Sequence, residues 1–186
     1  MKIKEEGRNI YSFRMFSPAE CADALRLLAK RPPRWRDAPL AWSDDLRPVV
    51  DYQDGLAHQA PLGGVSSLKD AYRRAVESSA RPAAMLCWEY RVFRFATRQA
   101  LLLRYGPGGH FIPHIDCMGT IRGRIISLVC YLNADYDGGR TYFPRQNVRV
   151  DPEPGKAVIF PSGITHPHGV EKVASGTKFV IVDWLS

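Results

Sequence analysis

The sequence predicts a mainly β protein, a barrel or sandwich of short strands, with supporting α-helices near its N-terminus. From Met85 onward, short runs rich in β-branched and aromatic residues alternate with Gly and Pro. Before that point, two segments show the apolar spacing of amphipathic helices. No internal repeat or linker divides the chain. We therefore expect a single domain over residues 1–186, with a support and variable segment at 1–84 and a β core at 85–186.

The first helix follows a short strand predicted at 10–16. Ser17 and Glu20 have the spacing of a capping box, and Pro18 occupies a first-turn position that tolerates proline. The proline pair at 32–33 ends this helix. Its predicted inward face, which should pack on a sheet, consists of Cys21, Leu25 and Leu28.

Residues 34–64 contain several prolines and glycines and show little periodicity. We expect an irregular segment with one strand around 46–52, and leave open whether it closes over a substrate. A second amphipathic helix is predicted at 67–79, with inward residues Leu68, Ala71, Tyr72, Ala75 and Val76. The β-prone runs that follow are CWEYRVFRF, ALLLRYG, FIPHID, IISLVCYLN, RTYFP, VRVD, KAVIF, HGVEKV and KFVIVDW.

Composition narrows the class of protein and of partner. The chain has 26 basic and 19 acidic side chains, a net charge of +7 and 45% apolar residues. This charge suits an anionic substrate, but the basic residues are scattered and form no stripe of the kind that nucleic-acid binding needs. No apolar run reaches the roughly 20 residues of a membrane helix, and the N-terminus lacks the pattern of a secretory signal. We expect a cytoplasmic protein with no membrane partner.

The stretch HFIPHIDC concentrates residue types that bind metals. His114 and Asp116 are two positions apart, so on an extended backbone both point to one face. Two imidazoles and one carboxylate form the facial triad of non-haem Fe(II) oxygenases. The candidates for the third ligand are His166 and His168, and His110 could join a zinc site by spacing alone.

A predicted hairpin favours His168 as that ligand. Folding HGVEK against GTKFV about the ASG turn places Lys178 roughly opposite His168. Lys178, Val180, Val182 and Trp184 then share one strand face, which we interpret as the barrel interior. An inward lysine among apolar neighbours needs an anionic partner, and the carboxylate of a metal-bound organic acid would serve.

Six motifs in this order cover nearly the whole chain: FSPAECADALRLLA, WEYRVFRF, HIDC, YLNADYDGGRTYFP, IFPSG and HGVEKVASGTK. Together they resemble those of the Fe(II)/2-oxoglutarate dioxygenases related to prolyl 4-hydroxylase. The resemblance implies a double-stranded β-helix, or jelly roll, as the core at 85–186. It implies Fe(II) held by His114, Asp116 and His168, with 2-oxoglutarate and O2 as co-substrates and ascorbate able to support activity.

The resemblance also implies residues that bind the co-substrate and the substrate. Lys178 would pair with the distal carboxylate of 2-oxoglutarate, and the same pocket would be lined by Tyr105, Tyr131 and Thr141. Arg124 matches a basic residue at the pocket mouth of relatives. Arg140 stands where many relatives carry an acidic or apolar residue, and it should face outward or toward the rim. Trp184 is either a core aromatic or a platform for the substrate.

The implied reaction is hydroxylation of an unactivated C–H bond. The substrate would be a prolyl residue of a peptide, or a free amino acid or natural-product intermediate. A nucleic-acid demethylase with the same chemistry is one alternative, but such an enzyme would require a basic groove and an arginine in place of Lys178. A non-catalytic metal-binding jelly roll that acts as a sensor is the other. Roles for His110, His166 and Cys117 stay open.

Overall fold

The computed structural model describes residues 1–38, 57–88, 100–117 and 123–185, together with the backbone of two short strands at 41–42 and 48–49. The protein is mainly β, as predicted. In chain order its strands are β1 (Ile3–Gly7), β2 (Ile10–Arg14), β3 (Arg36–Asp37), β4 (Ala41–Trp42), β5 (Pro48–Val49), β6 (His58–Pro61), β7 (Leu101–Tyr105), β8 (Phe111–His114), β9 (Ile126–Tyr131), β10 (Asp137–Gly138), β11 (Thr141–Phe143), β12 (Val148–Val150), β13 (Lys156–Pro161), β14 (His168–Val170), β15 (Val173–Ser175) and β16 (Lys178–Leu185).

Two sheets facing each other form the barrel. The large sheet has eight strands in the order β1-β2-β13-β9-β16-β7-β6-β3, and the small sheet has four in the order β12-β11-β14-β8. One buried cluster takes side chains from both sheets, among them Tyr131 and Val180 of the large sheet and Phe111 and Phe143 of the small one. The space between the sheets is therefore a packed interior, and the jelly-roll prediction is confirmed.

Helices cover the other face of the large sheet. They are α1 (Pro18–Lys30), α2 (Ser66–Ala75) and α3 (Arg81–Trp88), with a 3-10 turn at Leu62–Gly64 and a π-helical segment at Val76–Ala80. Their apolar faces share a second buried cluster with Leu128 and Ile181 of the large sheet. Alternation along β16 thus sends Val180 and Val182 into the barrel and Ile181 toward the helices.

The first helix forms as predicted. The backbone N–H of Glu20 donates to Ser17 Oγ at 3.2 Å, and the Glu20 carboxylate accepts from the Ser17 N–H at 2.8 Å. This reciprocal pair satisfies two of the amide groups that a helix start leaves without partners. Of the predicted inward residues, Cys21 and Leu28 are buried and Leu25 packs against the same cluster.

The second helix is longer than predicted. The helical path continues through the π segment to Trp88, so Met85–Trp88 does not begin the β region. Ala80, Ala83 and Ala84 are fully buried, because small side chains let this part of the helix lie close to the sheet. Pro82 lacks an amide donor but follows the π segment, where the hydrogen-bond ladder already changes its register. The remainder of WEYRVFRF lies outside the described residues.

The predicted hairpin between HGVEK and GTKFV is wrong. Strand β14 pairs with β8 and β11 in the small sheet, whereas β16 pairs with β7 and β9 in the large sheet. Between them, β15 pairs with β10. The chain therefore crosses from one sheet to the other, and Lys178 lies opposite Tyr105 instead of His168.

Two further expectations concern the N-terminal half. Strands β1 and β6 were not predicted, and both extend the large sheet, by pairing with β2 and β7 respectively. Most of the strand expected at 46–52 lies outside the described residues, and β5 falls within that range. None of the helices in the described ranges is long and apolar enough to cross a lipid bilayer.

Candidate active site

Three side chains meet inside the mouth of the barrel. His114 and His168 lie on the neighbouring strands β8 and β14, and Asp116 follows the end of β8. One donor atom each of His114, Asp116 and His168 lies within 4.8 Å of the others. The strands β8 and β14 place His114 directly opposite His168, with ring centroids 4.5 Å apart. The Asp116 carboxylate lies 3.6 Å from His114 Nε2 and 3.4 Å from His168 Nε2. The structure thus brings together all three predicted ligands.

Backbone carbonyl groups orient both imidazoles. His114 Nδ1 lies 3.0 Å from the carbonyl oxygen of Ile112, and His168 Nδ1 lies 3.3 Å from that of His166. A carbonyl can only accept, so each Nδ1 carries the proton and each Nε2 presents a lone pair toward the carboxylate. This is the tautomer that a metal-binding histidine needs, fixed by a second hydrogen bond.

The Asp116 carboxylate is positioned by hydrogen bonds and not by strand alternation alone, since β8 ends at His114. The amides of Asp116 and Cys117 both donate to the Ser162 carbonyl at 3.0 Å. Ser127 Oγ donates to Asp116 Oδ2 at 2.5 Å and lies 2.8 Å from Ser162 Oγ. The Ser162 carbonyl therefore fixes the turn, and the Ser127 hydroxyl occupies one of the two carboxylate oxygens.

Electrostatics favour a ligand set ready for a cation. Burial alone would raise the pKa of the Asp116 carboxyl, but His168 and His114 outweigh it and hold that pKa well below its ordinary value. Burial lowers the pKa of His168 to about 4. Burial lowers the pKa of His114, but its contact with Asp116 outweighs burial and raises that pKa. These groups bind a metal as an ionised carboxylate and neutral imidazoles, so metal binding would displace a proton from His114 where it carries one.

The donor set fits Fe(II). Two imidazole nitrogens and one carboxylate oxygen match the facial triad of non-haem iron oxygenases, which leaves open coordination positions. Within the described ranges, no further His, Cys, Asp or Glu joins this group. His166, the rival third ligand, is instead engaged elsewhere: its ring nitrogens lie 2.8 Å from Thr165 Oγ1 and 3.0 Å from the Arg8 carbonyl oxygen.

Lys178 lies in the barrel interior and is fully buried. Its Nζ donates to the Gly139 carbonyl at 2.7 Å and lies 5.1 Å from the ring centroid of Tyr105 and 5.4 Å from that of Tyr131. No carboxylate of the described residues forms an ion pair with it. Burial lowers the pKa of Lys178 to about 7. Its environment therefore favours an incoming anion.

The neighbouring pocket residues face the same interior. Tyr105 is buried opposite Lys178 in the sheet. The Tyr131 hydroxyl donates to Thr141 Oγ1 at 2.7 Å, which joins the large sheet to the small one. The structure therefore gathers Lys178, Tyr105, Tyr131 and Thr141, while their contact with 2-oxoglutarate stays a prediction.

The candidate substrate residues separate into two groups. The guanidinium Cζ of Arg124 lies 3.4 Å from the ring centroid of Trp184, and Arg124 Nη1 lies 3.5 Å from the Asp116 carbonyl oxygen. These two side chains adjoin the metal group. Arg140 faces outward, as expected from its inward neighbour Thr141, and its Nε pairs with Glu171 at 2.8 Å. Its substrate role stays a prediction that this placement does not support.

His110 is likewise outside the metal group. It lies in a groove of about 280 Å³ on the outer face of the small sheet, together with Ile112, Tyr142, Arg149 and Glu171. Its Nδ1 lies 2.9 Å from the Gly108 carbonyl oxygen.

Sequence reasoning did not assign roles to Ser127, Ser162 or Tyr136. Ser127 shares strand parity with Val129 and Tyr131 in β9, so a polar residue at an inward position was the available signal. Ser162 belongs to the IFPSG motif. Its contact with Asp116 forms only when two chain segments 46 positions apart meet in space, and sequence periodicity does not reveal such contacts.

Several known proteins resemble parts of this chain. Residues 100–186 match the family described as the 2OG-Fe(II) oxygenase superfamily. Human prolyl 3-hydroxylase 1 is 40% identical over 68 residues, which are 34% of this chain and 9% of that protein. Prolyl 4-hydroxylase 1 of Arabidopsis thaliana is 32% identical over 110 residues, 45% of this chain and 39% of that protein. The chain thus spans only part of these relatives.

The fold resemblance extends over nearly the whole chain. The prolyl hydroxylase of Trichoplax adhaerens, solved in complex with a hypoxia inducible factor peptide fragment, superimposes with a TM-score of 0.75 at 20% identity, covering 95% of this chain and 83% of that one. Nearly the whole chain thus shares the fold of this prolyl hydroxylase, and residues 100–186 resemble the 2OG-Fe(II) oxygenase superfamily. Members of this superfamily use Fe(II), 2-oxoglutarate and O2.

Replacing Ser127 by alanine should weaken metal binding about tenfold, because loss of a partner that orients a ligand costs roughly 10- to 100-fold in affinity. Titration of the metal-free protein with Mn(II), followed by calorimetry, measures this. Ser12, a similarly buried serine bonded to Glu6 at 2.7 Å, offers the control variant Ser12→Ala. An equal loss of affinity in both variants would show that Ser127 has no specific role.

Proposed function

We propose that this chain is a 2-oxoglutarate-dependent dioxygenase that hydroxylates an unactivated C–H bond, and that residues 1–186 act as one dioxygenase domain. The observation that carries the proposal is the buried Lys178 ammonium, which no carboxylate of the described residues neutralises, in the same interior as the His–Asp–His group. A buried charge without a counterion is costly. A dicarboxylate that reaches from the metal to Lys178 would supply that counterion.

Each residue has a distinct task in this proposal. His114, Asp116 and His168 would hold the iron. Bound Fe(II), with O2 and 2-oxoglutarate, supplies the oxidant for hydroxylation while 2-oxoglutarate becomes succinate and carbon dioxide. Lys178 binds the distal carboxylate of 2-oxoglutarate, and the apolar walls around it exclude water. The aromatic face of Trp184 and the Arg124 guanidinium lie where a substrate would approach.

For the substrate we propose a prolyl residue of a peptide, with a free amino acid or natural-product intermediate as the competing class. The similar proteins named above are prolyl hydroxylases, and one was solved with a peptide fragment bound. The net charge of +7 would favour an anionic substrate. All four cysteines are unbridged, as is usual in a reducing compartment, and a cytoplasmic location is part of the proposal.

A product search tests this function. The protein is incubated with Fe(II), ascorbate and 2-oxoglutarate against a proline-containing peptide library and, separately, a pool of amino acids. Succinate is quantified, and products heavier by one oxygen atom are sought by mass spectrometry. Hydroxyprolyl peptides that require 2-oxoglutarate support the proposal. Oxygenated free amino acids alone would replace the peptide substrate class, and metal binding without succinate would favour a sensor.

The affinity for 2-oxoglutarate should fall as the pH rises above 7. The pKa of Lys178 is lowered to about 7 by burial, so its ammonium form is present below this pH and is lost above it. A bound carboxylate favours the ammonium, so binding takes up a proton, and the dissociation constant should rise by up to about tenfold per pH unit. Calorimetry between pH 7 and 9 measures this rise.

Two controls isolate the Lys178 contribution to this pH dependence. Pyruvate keeps the keto acid but lacks the distal carboxylate, so its affinity reports only pH effects at the metal. In Lys178→Arg the guanidinium stays charged throughout the range, so the ratio of the two affinities should not change with pH. A parent protein with an equally constant ratio would contradict the assignment of the distal carboxylate to Lys178.

A further inference from the structure

The hydroxyl of Tyr136 is buried without a hydrogen-bond partner in the described part of the chain. Buried hydroxyl groups usually have a partner, and one without destabilises the folded protein. Other buried phenols in the structure show this rule: the Tyr131 hydroxyl donates to Thr141, and the Tyr72 hydroxyl donates to Asp183 at 3.0 Å. The Tyr136 hydroxyl therefore calls for a partner that the described residues do not supply.

Tyr136 lies beside Lys178. A Cβ atom added to Gly139 would lie 3.0 Å from Tyr136 Cε2 and 3.4 Å from Lys178 Cδ, so both side chains flank the same point. Gly139, with φ of 63°, also supplies the carbonyl that accepts from Lys178 Nζ at 2.7 Å. The Tyr136 ring thus packs against the strand-to-strand turn that holds the Lys178 ammonium.

The Tyr136 side chain is partly buried, with its hydroxyl shielded from solvent. Its ring packs against the buried cluster that contains Tyr105, Tyr131 and Val180. Burial raises the pKa of Tyr136, and Tyr131, Asp135 and Tyr105 raise it further, so the phenol is a neutral donor at all physiological pH values. Tyr105 and Tyr131 thus flank the buried ammonium, and Tyr136 lies on the Gly139 side of the Lys178 side chain.

We propose that Tyr136 is a co-substrate-binding residue whose hydroxyl donates a hydrogen bond to the distal carboxylate of 2-oxoglutarate held by Lys178. This inference rests on the proposed function and adds a residue to it. A carboxylate has two oxygens with about four acceptor sites, more than one ammonium can fill. Lys178 already uses one of its three donors on Gly139, so the carboxylate has acceptor sites that the Tyr136 hydroxyl can fill.

The test compares Tyr136→Phe with the parent protein loaded with Mn(II). Calorimetry measures binding of N-oxalylglycine, which keeps the distal carboxylate, and of pyruvate, which lacks it. We expect N-oxalylglycine affinity to fall about tenfold, the loss of one hydrogen bond to a charged group. Pyruvate affinity should not change. The melting temperature of the ligand-free variant should equal or exceed that of the parent, because the orphaned hydroxyl is gone.

The matched control is Tyr142→Phe, which removes a phenolic hydroxyl in the groove on the outer face of the small sheet. It should leave both affinities unchanged. Equal N-oxalylglycine affinity in Tyr136→Phe and the parent, equal losses for both ligands, or a lowered melting temperature would each overturn the assignment of Tyr136 alone. A parent protein that binds neither ligand would overturn the proposed function itself.

Discussion

Replacing His168 by alanine is expected to abolish hydroxylation and to lower metal affinity by more than about 100-fold, since even a lost partner of a ligand can cost that much. The physical reason is that His114 and Asp116 alone present two donors, one of them from a side chain partly exposed at the mouth. Binding of Mn(II) to the purified variant, measured by calorimetry, checks this, and circular dichroism checks that the variant is folded.

Two other histidines provide matched controls for His168. His110→Ala removes an imidazole from the outer groove and should keep the affinity of the parent. His166→Ala removes two hydrogen bonds and should lower the melting temperature while metal still binds. Retained metal affinity in His168→Ala together with its loss in His166→Ala would mean that the third ligand is wrongly assigned.

Replacing Lys178 by methionine should raise the dissociation constant for 2-oxoglutarate by about 100-fold, equivalent to roughly 3 kcal/mol for a truncated buried charge pair. Methionine keeps much of the apolar stem and removes the ammonium. The same change should raise the melting temperature of the ligand-free protein, because the fully buried ammonium has no carboxylate partner among the described residues. Calorimetry on the Mn(II)-loaded protein and a thermal melt provide both numbers.

The control for Lys178 is Lys172→Met, at an exposed lysine on the outer groove. It should leave 2-oxoglutarate binding and the melting temperature unchanged. If Lys178→Met binds 2-oxoglutarate like the parent, the co-substrate does not reach this residue. If the variant loses affinity but also melts at a lower temperature, Lys178 stabilises the folded protein, which would contradict the cost assigned to its buried charge.

Lys178→Met should weaken 2-oxoglutarate binding and stabilise the ligand-free protein, and both effects have the same physical cause. In the ligand-free protein the Lys178 ammonium is buried in an apolar interior without a counterion, and this reduces the stability of the fold. The same reasoning applies to the orphaned Tyr136 hydroxyl. Both groups reduce the stability of the ligand-free protein, and under the proposal both would gain a partner when the ligand binds.

Local sequence patterns predicted much of this fold. The capping box of Ser17 and Glu20 marked the start of α1, and the β-prone runs after Ala100 correspond to observed strands. These features depend on contacts between near neighbours in the chain. The π segment and the continuation of α3 to Trp88 were missed because they depend on how closely buried alanines approach the sheet.

The site was predicted only in part, because sequence patterns reveal near neighbours in the chain but not contacts between distant segments. His114 and Asp116 are close in sequence, and His168 was chosen over His166 with the help of a hairpin that does not exist. The choice agrees with the structure because β14 pairs with β8, which is a long-range pairing. The Ser127 contact with Asp116 and the orphaned Tyr136 hydroxyl arise only when separate strands pack together.

A crystal structure of the protein with Mn(II) and N-oxalylglycine would show directly which side chains bind the metal and the dicarboxylate. We expect a metal bound by His114, Asp116 and His168 and by no other protein side chain, with the keto-acid end of N-oxalylglycine on the metal and its distal carboxylate on Lys178. A metal enclosed by a fourth protein ligand, or a distal carboxylate directed away from Lys178, would contradict it.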